Sequence, residues 1–228
     1  MAVVVVGGHT RNVGKTSVVA GIIAALPEFE WTAAKITQFG HGVCSISAEP
    51  CDCALNEHEH SWSLDEEFDR TGKSDTSRFL VAGAKRVLWV RTKQGMLAEA
   101  MPALRQELAG ARNVILESNT VLRFLRPDLY LSVLDFAVPD FKDSAREFLD
   151  RADAVLLHTA APGTVPRWDG VSLKLIEAKP VFPITPPEYV TADVAAFVRE
   201  RLVAAAARQV CLEPLERVFV VADVAIRS

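Results

Sequence analysis

The sequence lacks an excess of basic residues, since 25 Lys and Arg stand against 29 Asp and Glu, for a net charge of -4. Proteins that bind nucleic acid through its phosphates need many clustered cations, so nucleic acid is not expected as the main partner. The sequence also lacks any uncharged apolar run of about eighteen residues, and its beginning shows no basic segment followed by a cleavage site. We therefore expect a cytoplasmic protein with no membrane partner.

Cysteine is scarce, with four residues in 228 and no CxxC pair. Disulfides are not expected in a reducing compartment. Cys44, Cys51 and Cys53 nevertheless lie close together, and His58 and His60 follow them. Thiolates and imidazoles are the ligands that Zn²⁺ and related transition metals prefer. A transition-metal site formed by these five residues and a plain flexible lid over a ligand both remain open interpretations.

The sequence does contain a strand-like run that leads through a glycine-containing turn into a helix start, at residues 3–17. Four consecutive valines precede the turn, and Gly14, Lys15 and Thr16 stand at the start of an apolar helical run. Such a turn directs backbone N–H groups and a helix N-terminus at a phosphate group. The usual phosphate-binding pattern is GxxxxGK[ST], whereas here His9 takes the place of the first glycine and Gly8 lies one residue earlier.

This turn predicts a binding site for a nucleoside triphosphate, ATP or GTP, together with Mg²⁺. Lys15 would contact the β- and γ-phosphates, and the Thr16 hydroxyl would bind Mg²⁺. No NKxD guanine signature is present, so the nucleobase stays undecided. The predicted nucleotide-binding residues are Gly8, Asn12, Val13, Gly14, Lys15, Thr16 and Ser17.

Two further charged residues stand at the ends of predicted strands. Lys35 lies near the end of a strand predicted over residues 31–37, and Glu117 ends an apolar strand that begins at Asn113. The carboxyl ends of parallel strands meet at one edge of a sheet, so both residues are expected beside the turn. We predict catalytic roles for Lys15, Lys35 and Glu117, with Mg²⁺ held by Thr16 and Glu117. An exposed strand lysine is an equal alternative for Lys35.

Strand, loop and helix patterns alternate six or seven times, which predicts an α/β fold with a doubly wound, mainly parallel sheet and P-loop NTPase architecture. We expect one domain over residues 1–228, with a Cys/His-rich insertion at 40–73. That insertion has few periodic apolar positions and is predicted to contain no regular core element. A long helix is predicted at 191–207, followed by an edge strand at 218–221.

Two segments resemble known families. The loop with Val13 before Gly-Lys-Thr resembles that of dethiobiotin synthetases and their relatives, the branch that includes MinD, cobyrinate amidase and the nickel-insertion GTPases. A second segment resembles the GKDS…AGA segment of the MobB family (molybdopterin-guanine dinucleotide biosynthesis protein B). It consists of Gly72, Lys73, Asp75, Ser77 and Arg78, with Ala82-Gly83-Ala84.

The resemblance covers residues 1 to about 135 and departs from the family patterns at three positions. Ser74 is inserted before Asp75, and Ser118 stands where glycine is expected after Glu117. Ile36 follows Lys35, whereas dethiobiotin synthetases usually have a proline after the corresponding lysine. Either Ser74 or Asp75 is expected to cap the helix that follows.

The resemblance implies a P-loop NTPase that acts in molybdenum cofactor or related cofactor biosynthesis, together with a cofactor-synthesis partner protein. A homodimer is compatible with it. Two alternatives stay open. One is an ATP-dependent small-molecule kinase or ligase resembling dethiobiotin synthetase, with Lys35 beside the γ-phosphate. The other is a metal-delivery NTPase that uses the Cys/His-rich insertion.

Overall fold

The computed structural model describes residues 1–39, 61–160 and 164–223, with side chains described as far as residue 208. Within these ranges, eight strands form one sheet. They are β1 (Ala2–Gly8), β2 (Trp31–Phe39), β3 (Trp62–Glu66), β4 (Arg86–Lys93), β5 (Asn113–Glu117), β6 (Leu129–Leu134), β7 (Ala154–His158) and β8 (Val181–Ile184). The helices are α1 (Lys15–Ala25), α2 (Asp75–Val81), α3 (Leu97–Leu108), α4 (Asp143–Arg146), α5 (Lys174–Glu177) and α6 (Ala192–Asp223), with 3₁₀ turns at Pro27–Phe29, Thr120–Arg123 and Leu149–Arg151.

The strand order is β3-β4-β2-β5-β1-β6-β7-β8, which places β1 near the middle of the sheet. Neighbouring strands are parallel throughout, except that β3 runs antiparallel to β4. The prediction of an α/β fold with a mainly parallel sheet is confirmed.

Helices cover both faces of the sheet, as alternate residues of β1 show. Val4 and Val6 belong to a core that includes Ile22 of α1, whereas Val5 lies in a second core with Leu104 of α3. A strand buried on both faces needs apolar residues at every position, which explains the run of valines. The doubly wound arrangement is therefore confirmed.

The prediction that residues 40–73 contain no regular element is wrong for the described part of that range. β3 pairs with β4 at the sheet edge, with Trp62 opposite Thr92 and Leu64 opposite Val90. Both apolar side chains pack against the α3 core, and the serine between them is polar. This two-residue alternation is the usual signal of a half-buried strand, but it is too short to stand out in a polar stretch.

The predicted edge strand at 218–221 is also wrong, because α6 continues through this segment to Asp223. The predicted helix at 191–207 is the first half of α6. Residues 208–217 include Leu, Glu, Arg and Gln, which favour helix. Valines favour a strand mainly when a neighbouring strand is available to pair with them, so their local preference is overridden here.

No helix within the described ranges is long and apolar enough to cross a membrane.

A serine caps the amino end of α2. The Ser74 hydroxyl accepts a hydrogen bond from the Ser77 backbone N–H at 3.0 Å, and the Ser77 hydroxyl accepts one from the Ser74 N–H at 3.1 Å. This reciprocal arrangement is a capping box, which satisfies backbone donors that the first helical turn leaves unpaired. Of the two expected caps, Ser74 is therefore the residue that caps α2.

We expect Ser74→Ala to lower the free energy of unfolding by about 1 kcal/mol, because the Ser77 N–H would lose its acceptor. Urea denaturation followed by circular dichroism measures this change. Ser172→Ala is a matched control at an exposed serine, and it should change stability by less than about 0.5 kcal/mol. Equal effects of the two substitutions would contradict the capping role.

Candidate functional site

The loop at residues 8–17 joins β1 to α1, and two of its glycines have no room for a side chain. A Cβ atom at Gly8 would lie 2.7 Å from Val13 Cγ1 and 3.1 Å from the Val133 carbonyl oxygen. Gly14 has a φ of +95°, and a Cβ atom there would lie 2.3 Å from Tyr189 Cε1. The tight path of the loop and its contact with Tyr189 therefore require glycine at both positions.

His9 occupies the place of the first glycine in the usual pattern, and it is fully buried. Its ring packs against Phe141 and Trp168, with a centroid distance of 5.3 Å in each case. Its backbone N–H donates to the Val133 carbonyl oxygen at 3.2 Å. Burial lowers the pKa of His9, which favours the neutral ring. His9 thus anchors the beginning of loop 8–17 in an aromatic cluster.

Asn119 also fixes the beginning of this loop. Its side-chain oxygen accepts from the Gly8 N–H at 2.9 Å, and its side-chain N–H donates to the Gly8 carbonyl oxygen at 2.9 Å. The amide therefore takes up both backbone hydrogen-bonding groups of Gly8, as a neighbouring strand would. No local pattern in the sequence predicts this role, because it depends on a contact between residues 111 positions apart.

Lys15 lies at the first position of α1, where a bound anion would meet the helix N-terminus. Its ammonium group donates to the Thr10 carbonyl oxygen at 2.7 Å. Burial lowers the pKa of Lys15, and the nearby Glu117 carboxylate partly opposes this effect. The folded protein therefore holds a costly cation inside the loop, which a bound anion would stabilise.

Thr16, Lys35 and Glu117 meet at the carboxyl edge of the sheet. The Thr16 hydroxyl donates to Glu117 Oε2 at 2.8 Å, and Lys35 Nζ lies 3.3 Å from Glu117 Oε1 and 3.4 Å from Thr16 Oγ1. Glu117 is opposite Lys35 in the pairing of β5 with β2, and opposite Val6 in its pairing with β1. The sheet register thus brings together three residues that the sequence analysis placed at one edge.

The Thr16–Glu117 pair has the oxygen donors that Mg²⁺ prefers. The Glu117 side chain is only 6% exposed, and that of Lys35 is 14% exposed. Lys35 forms an ion pair with this buried carboxylate. A hydroxyl at the start of α1 and a carboxylate at the end of β5 therefore fit a magnesium ion that keeps most of its water ligands.

Helix α2 adds two charged residues to this edge that the sequence analysis did not assign to the site. Asp75 forms an ion pair with Lys35. Arg78 Nη2 donates to the Ser17 hydroxyl at 3.0 Å. From its sequence context Asp75 was expected only as a helix cap or as part of a family-like segment, because no local pattern shows that α2 packs beside α1.

An open cavity of about 350 Å³ lies between α1, α2 and the segment after β8. Its lining combines polar, charged and apolar side chains from Ser17, Gly21, Arg78, Pro187, Glu188, Tyr189 and Val190. His158, at the end of β7, contacts both loop 8–17 and Tyr189 of this lining. Its Nε2 atom is 2.9 Å from the Val13 carbonyl oxygen, and its ring packs edge-on against Tyr189 at 5.8 Å. His158 therefore has a satisfied, structural position beneath the loop.

The segment at 140–142, which follows β6, is attached to the other side of loop 8–17. The Thr10 hydroxyl donates to the Asp140 carboxylate, and the Lys142 backbone N–H donates to the His9 carbonyl oxygen at 2.9 Å. Burial, together with repulsion from Lys15 and Arg11, lowers the pKa of Lys142 to about 8. The sequence analysis gave Lys142 no role in the site.

The five predicted transition-metal ligands lie outside the described residues: Cys44, Cys51, Cys53, His58 and His60. Within the described ranges, no group of three or more His, Cys, Asp or Glu side chains is arranged to hold a metal ion. The transition-metal site therefore stays a prediction.

The fold and the loop define a class of protein: an α/β protein with a doubly wound, mainly parallel sheet and a P-loop-type turn between its first strand and first helix. No family model matches the sequence, and no curated protein matches it.

Two solved structures are similar to this chain at a low level. HypB from Helicobacter pylori in complex with nickel has a TM-score of 0.45 and 14% identity, covering 90% of this chain and 87% of that one. LpxK from Aquifex aeolicus in complex with ATP has a TM-score of 0.45 and 17% identity, covering 80% of this chain and 53% of that one. This chain therefore matches about half the length of LpxK. Similarity at this level carries no argument about this chain, so the fold assignment depends on the observed sheet topology.

Proposed function

We propose that the protein binds and hydrolyses a nucleoside triphosphate, ATP or GTP, with Mg²⁺, on loop 8–17. The observation that carries this proposal is the convergence of Thr16, Lys35 and Glu117 beside Lys15 at the start of α1. A backbone cradle, a half-buried lysine and a carboxylate–hydroxyl pair at one sheet edge are the groups that phosphoryl transfer requires.

Each residue has a distinct role in the proposed reaction. Lys15 and the backbone N–H groups at residues 12–17 would bind the phosphates, while Thr16 and Glu117 would hold Mg²⁺, which would supply positive charge to neutralise the phosphate oxygens. Lys35 lies beside both of these side chains, where its positive charge would stabilise negative charge that develops in the transition state. The chain thus supplies positioning and electrostatic stabilisation.

The cavity beside Ser17 is suited to the nucleoside. Ser17 directly follows Thr16, so the nucleoside attached to phosphates on loop 8–17 would extend toward Gly21 and Tyr189. The ring of Tyr189 and the side chain of Pro187 offer apolar surface for a base, and Arg78 and Glu188 offer polar contacts. Its volume of about 350 Å³ falls in the range of small-molecule sites.

At a finer level, we propose a role in molybdenum cofactor or related cofactor biosynthesis, based on the resemblance of the segment around Asp75 and Arg78 to MobB. In this proposal residues 1–228 form one domain in a cytoplasmic protein, which works with a partner protein and is compatible with a homodimer. The ion pair that joins Asp75 to Lys35 and the bond from Arg78 to Ser17 place this segment at the candidate site.

A second candidate function is phosphoryl transfer to a small molecule, as in dethiobiotin synthetase. The position of Lys35 beside Thr16 and Glu117 favours this alternative, because a cation there could stabilise a transferring phosphoryl group. A third candidate, delivery of a transition metal, depends on the cysteines and histidines at 44–60.

Calorimetric titration with MgATP and MgGTP, combined with an assay of phosphate release, tests the main proposal. We expect one of the nucleotides to bind and to be hydrolysed slowly in a Mg²⁺-dependent reaction. A protein that binds neither nucleotide would contradict the proposal. A phosphorylated product that forms only with an added carboxylic acid or carbamate would favour the second candidate, and a tightly bound metal lost in a Cys51→Ser, Cys53→Ser variant would favour the third.

A further inference from the structure

Lys142 is held beside the beginning of loop 8–17 by its own backbone. Its N–H donates to the His9 carbonyl oxygen at 2.9 Å, and the neighbouring Phe141 ring packs on the His9 ring at 5.3 Å. Two residues earlier, Asp140 accepts a hydrogen bond from the Thr10 hydroxyl. These three contacts fix the position of Lys142 relative to loop residues 9 and 10.

The charge on Lys142 is poorly compensated within the described part of the chain. Its side chain is half-buried, and no carboxylate of the described residues forms an ion pair with it. Lys15 and Arg11 add positive charge nearby, and Asp140, whose carboxylate accepts a hydrogen bond from Thr10, adds negative charge. A partly buried cation among other cations is unfavourable unless an anion joins them.

Thr10 links the two lysines. Its carbonyl oxygen accepts from Lys15 Nζ at 2.7 Å, and its hydroxyl bonds to the segment that carries Lys142. The nucleoside cavity lies at the opposite end of the loop, beside Ser17 and Gly21. In the proposed binding mode, the phosphates therefore run from Ser17 toward residues 9–11, and the terminal phosphate lies at the Lys142 end.

We propose that Lys142 contacts the terminal phosphate of the bound nucleoside triphosphate and makes the site prefer a triphosphate to a diphosphate. This inference rests on the proposed function and adds a residue to it. Lys15 contacts the β-phosphate, which both nucleotides carry, as well as the γ-phosphate, whereas Lys142 contacts the γ-phosphate alone and adds a charge-assisted hydrogen bond that only the triphosphate receives.

The test compares Lys142→Met with wild type by calorimetry, using MgADP and the Mg²⁺ complex of a non-hydrolysable ATP analogue, or the guanine counterparts if GTP is preferred. We expect the triphosphate analogue to bind roughly tenfold to a hundredfold more weakly to Lys142→Met, as for the loss of one charged hydrogen bond. The affinity for the diphosphate should change by less than about threefold, since that ligand does not reach Lys142.

Two further variants serve as controls. Lys142→Arg keeps the charge and should retain most of the preference for the triphosphate. Lys85→Met removes an equal charge from an exposed lysine just before β4, at the amino end of the strand, and should leave both affinities unchanged.

The pH dependence of wild type gives a test that does not depend on the folding of a variant. The pKa of Lys142 is lowered to about 8 by burial and by Lys15 and Arg11, with Asp140 opposing them. The ammonium group is therefore charged below this pH and loses its proton above it, and a bound phosphate would raise the pKa. The ratio of triphosphate to diphosphate affinity should fall as the pH rises from 7 to above 9, and it should fall less in Lys142→Met.

The outcomes separate the two proposals. Wild type that binds neither nucleotide contradicts the proposed function, and this inference with it. Wild type that binds both, with a preference that Lys142→Met and high pH leave unchanged, contradicts only the role of Lys142. Equally weakened binding of both nucleotides to Lys142→Met would also contradict the proposed role of Lys142, because the lysine would then act on the loop structure or on phosphates that both nucleotides share.

Discussion

Lys15→Met is expected to weaken nucleotide binding about a hundredfold or more, because Lys15 would lose charge-assisted contacts to two phosphate groups. The same change should not lower the stability of the free protein. Burial lowers the pKa of Lys15, which means that the folded state disfavours the charged form relative to water. An uncharged side chain of similar length removes this cost.

Loss of binding without loss of stability is thus the expected signature of a lysine kept for a ligand. Calorimetry with the preferred nucleotide and thermal unfolding of the free protein measure the two effects. Lys85→Met is the matched control, with binding unchanged. Nucleotide affinity in Lys15→Met close to that of wild type would contradict the assignment of loop 8–17 as the phosphate site.

Glu117→Gln is expected to lower Mg²⁺-dependent hydrolysis about a hundredfold or more, because the amide is a poor ligand for a hard cation and carries no charge. The amide oxygen can still accept from the Thr16 hydroxyl, which now bonds to Glu117 at 2.8 Å, so the fold of the loop should persist. Binding of nucleotide in the presence of a chelator should be little affected, since the phosphate contacts of Lys15 remain.

Steady-state phosphate release at several Mg²⁺ concentrations measures this effect. The control is Glu177→Gln, which removes an equal charge from an exposed position on α5. Hydrolysis at the wild-type rate with an unchanged Mg²⁺ dependence in Glu117→Gln would show that another group binds the metal. The proposed role of Lys35 would then also need revision, because Lys35 reaches the site through its contacts with Glu117 and Thr16.

Local patterns predicted much of the fold. The valines of β1 predicted a strand, and Ser74 was one of two expected caps for α2. The wrong predictions concern segments in which tertiary packing overrides local secondary-structure preference or in which the local pattern is too short. The two-residue alternation of β3 was too short to recognise, and the valines at 218–221 favoured a strand although they continue a helix.

The candidate site shows the same division. Lys15 and Thr16 could be predicted as site residues from the sequence, because a phosphate loop is built from consecutive residues. Lys35 and Glu117 could be predicted as site residues because each lies at or near the end of a strand of a parallel sheet, and such ends share one edge. Asn119, Arg78 and Lys142 were missed, since each reaches the loop from a segment whose packing no spacing predicts.

The sequence by itself determined the strand, glycine turn and helix start at residues 3–17 and the alternation that leads to a doubly wound sheet, because these depend on contacts between near neighbours. Only the tertiary structure decided that Lys35 pairs with Glu117, that α2 brings Arg78 to Ser17, and that Lys142 lies beside His9. These contacts join residues far apart in the chain, and they exist only once the sheet register and the packing of the helices bring those segments together.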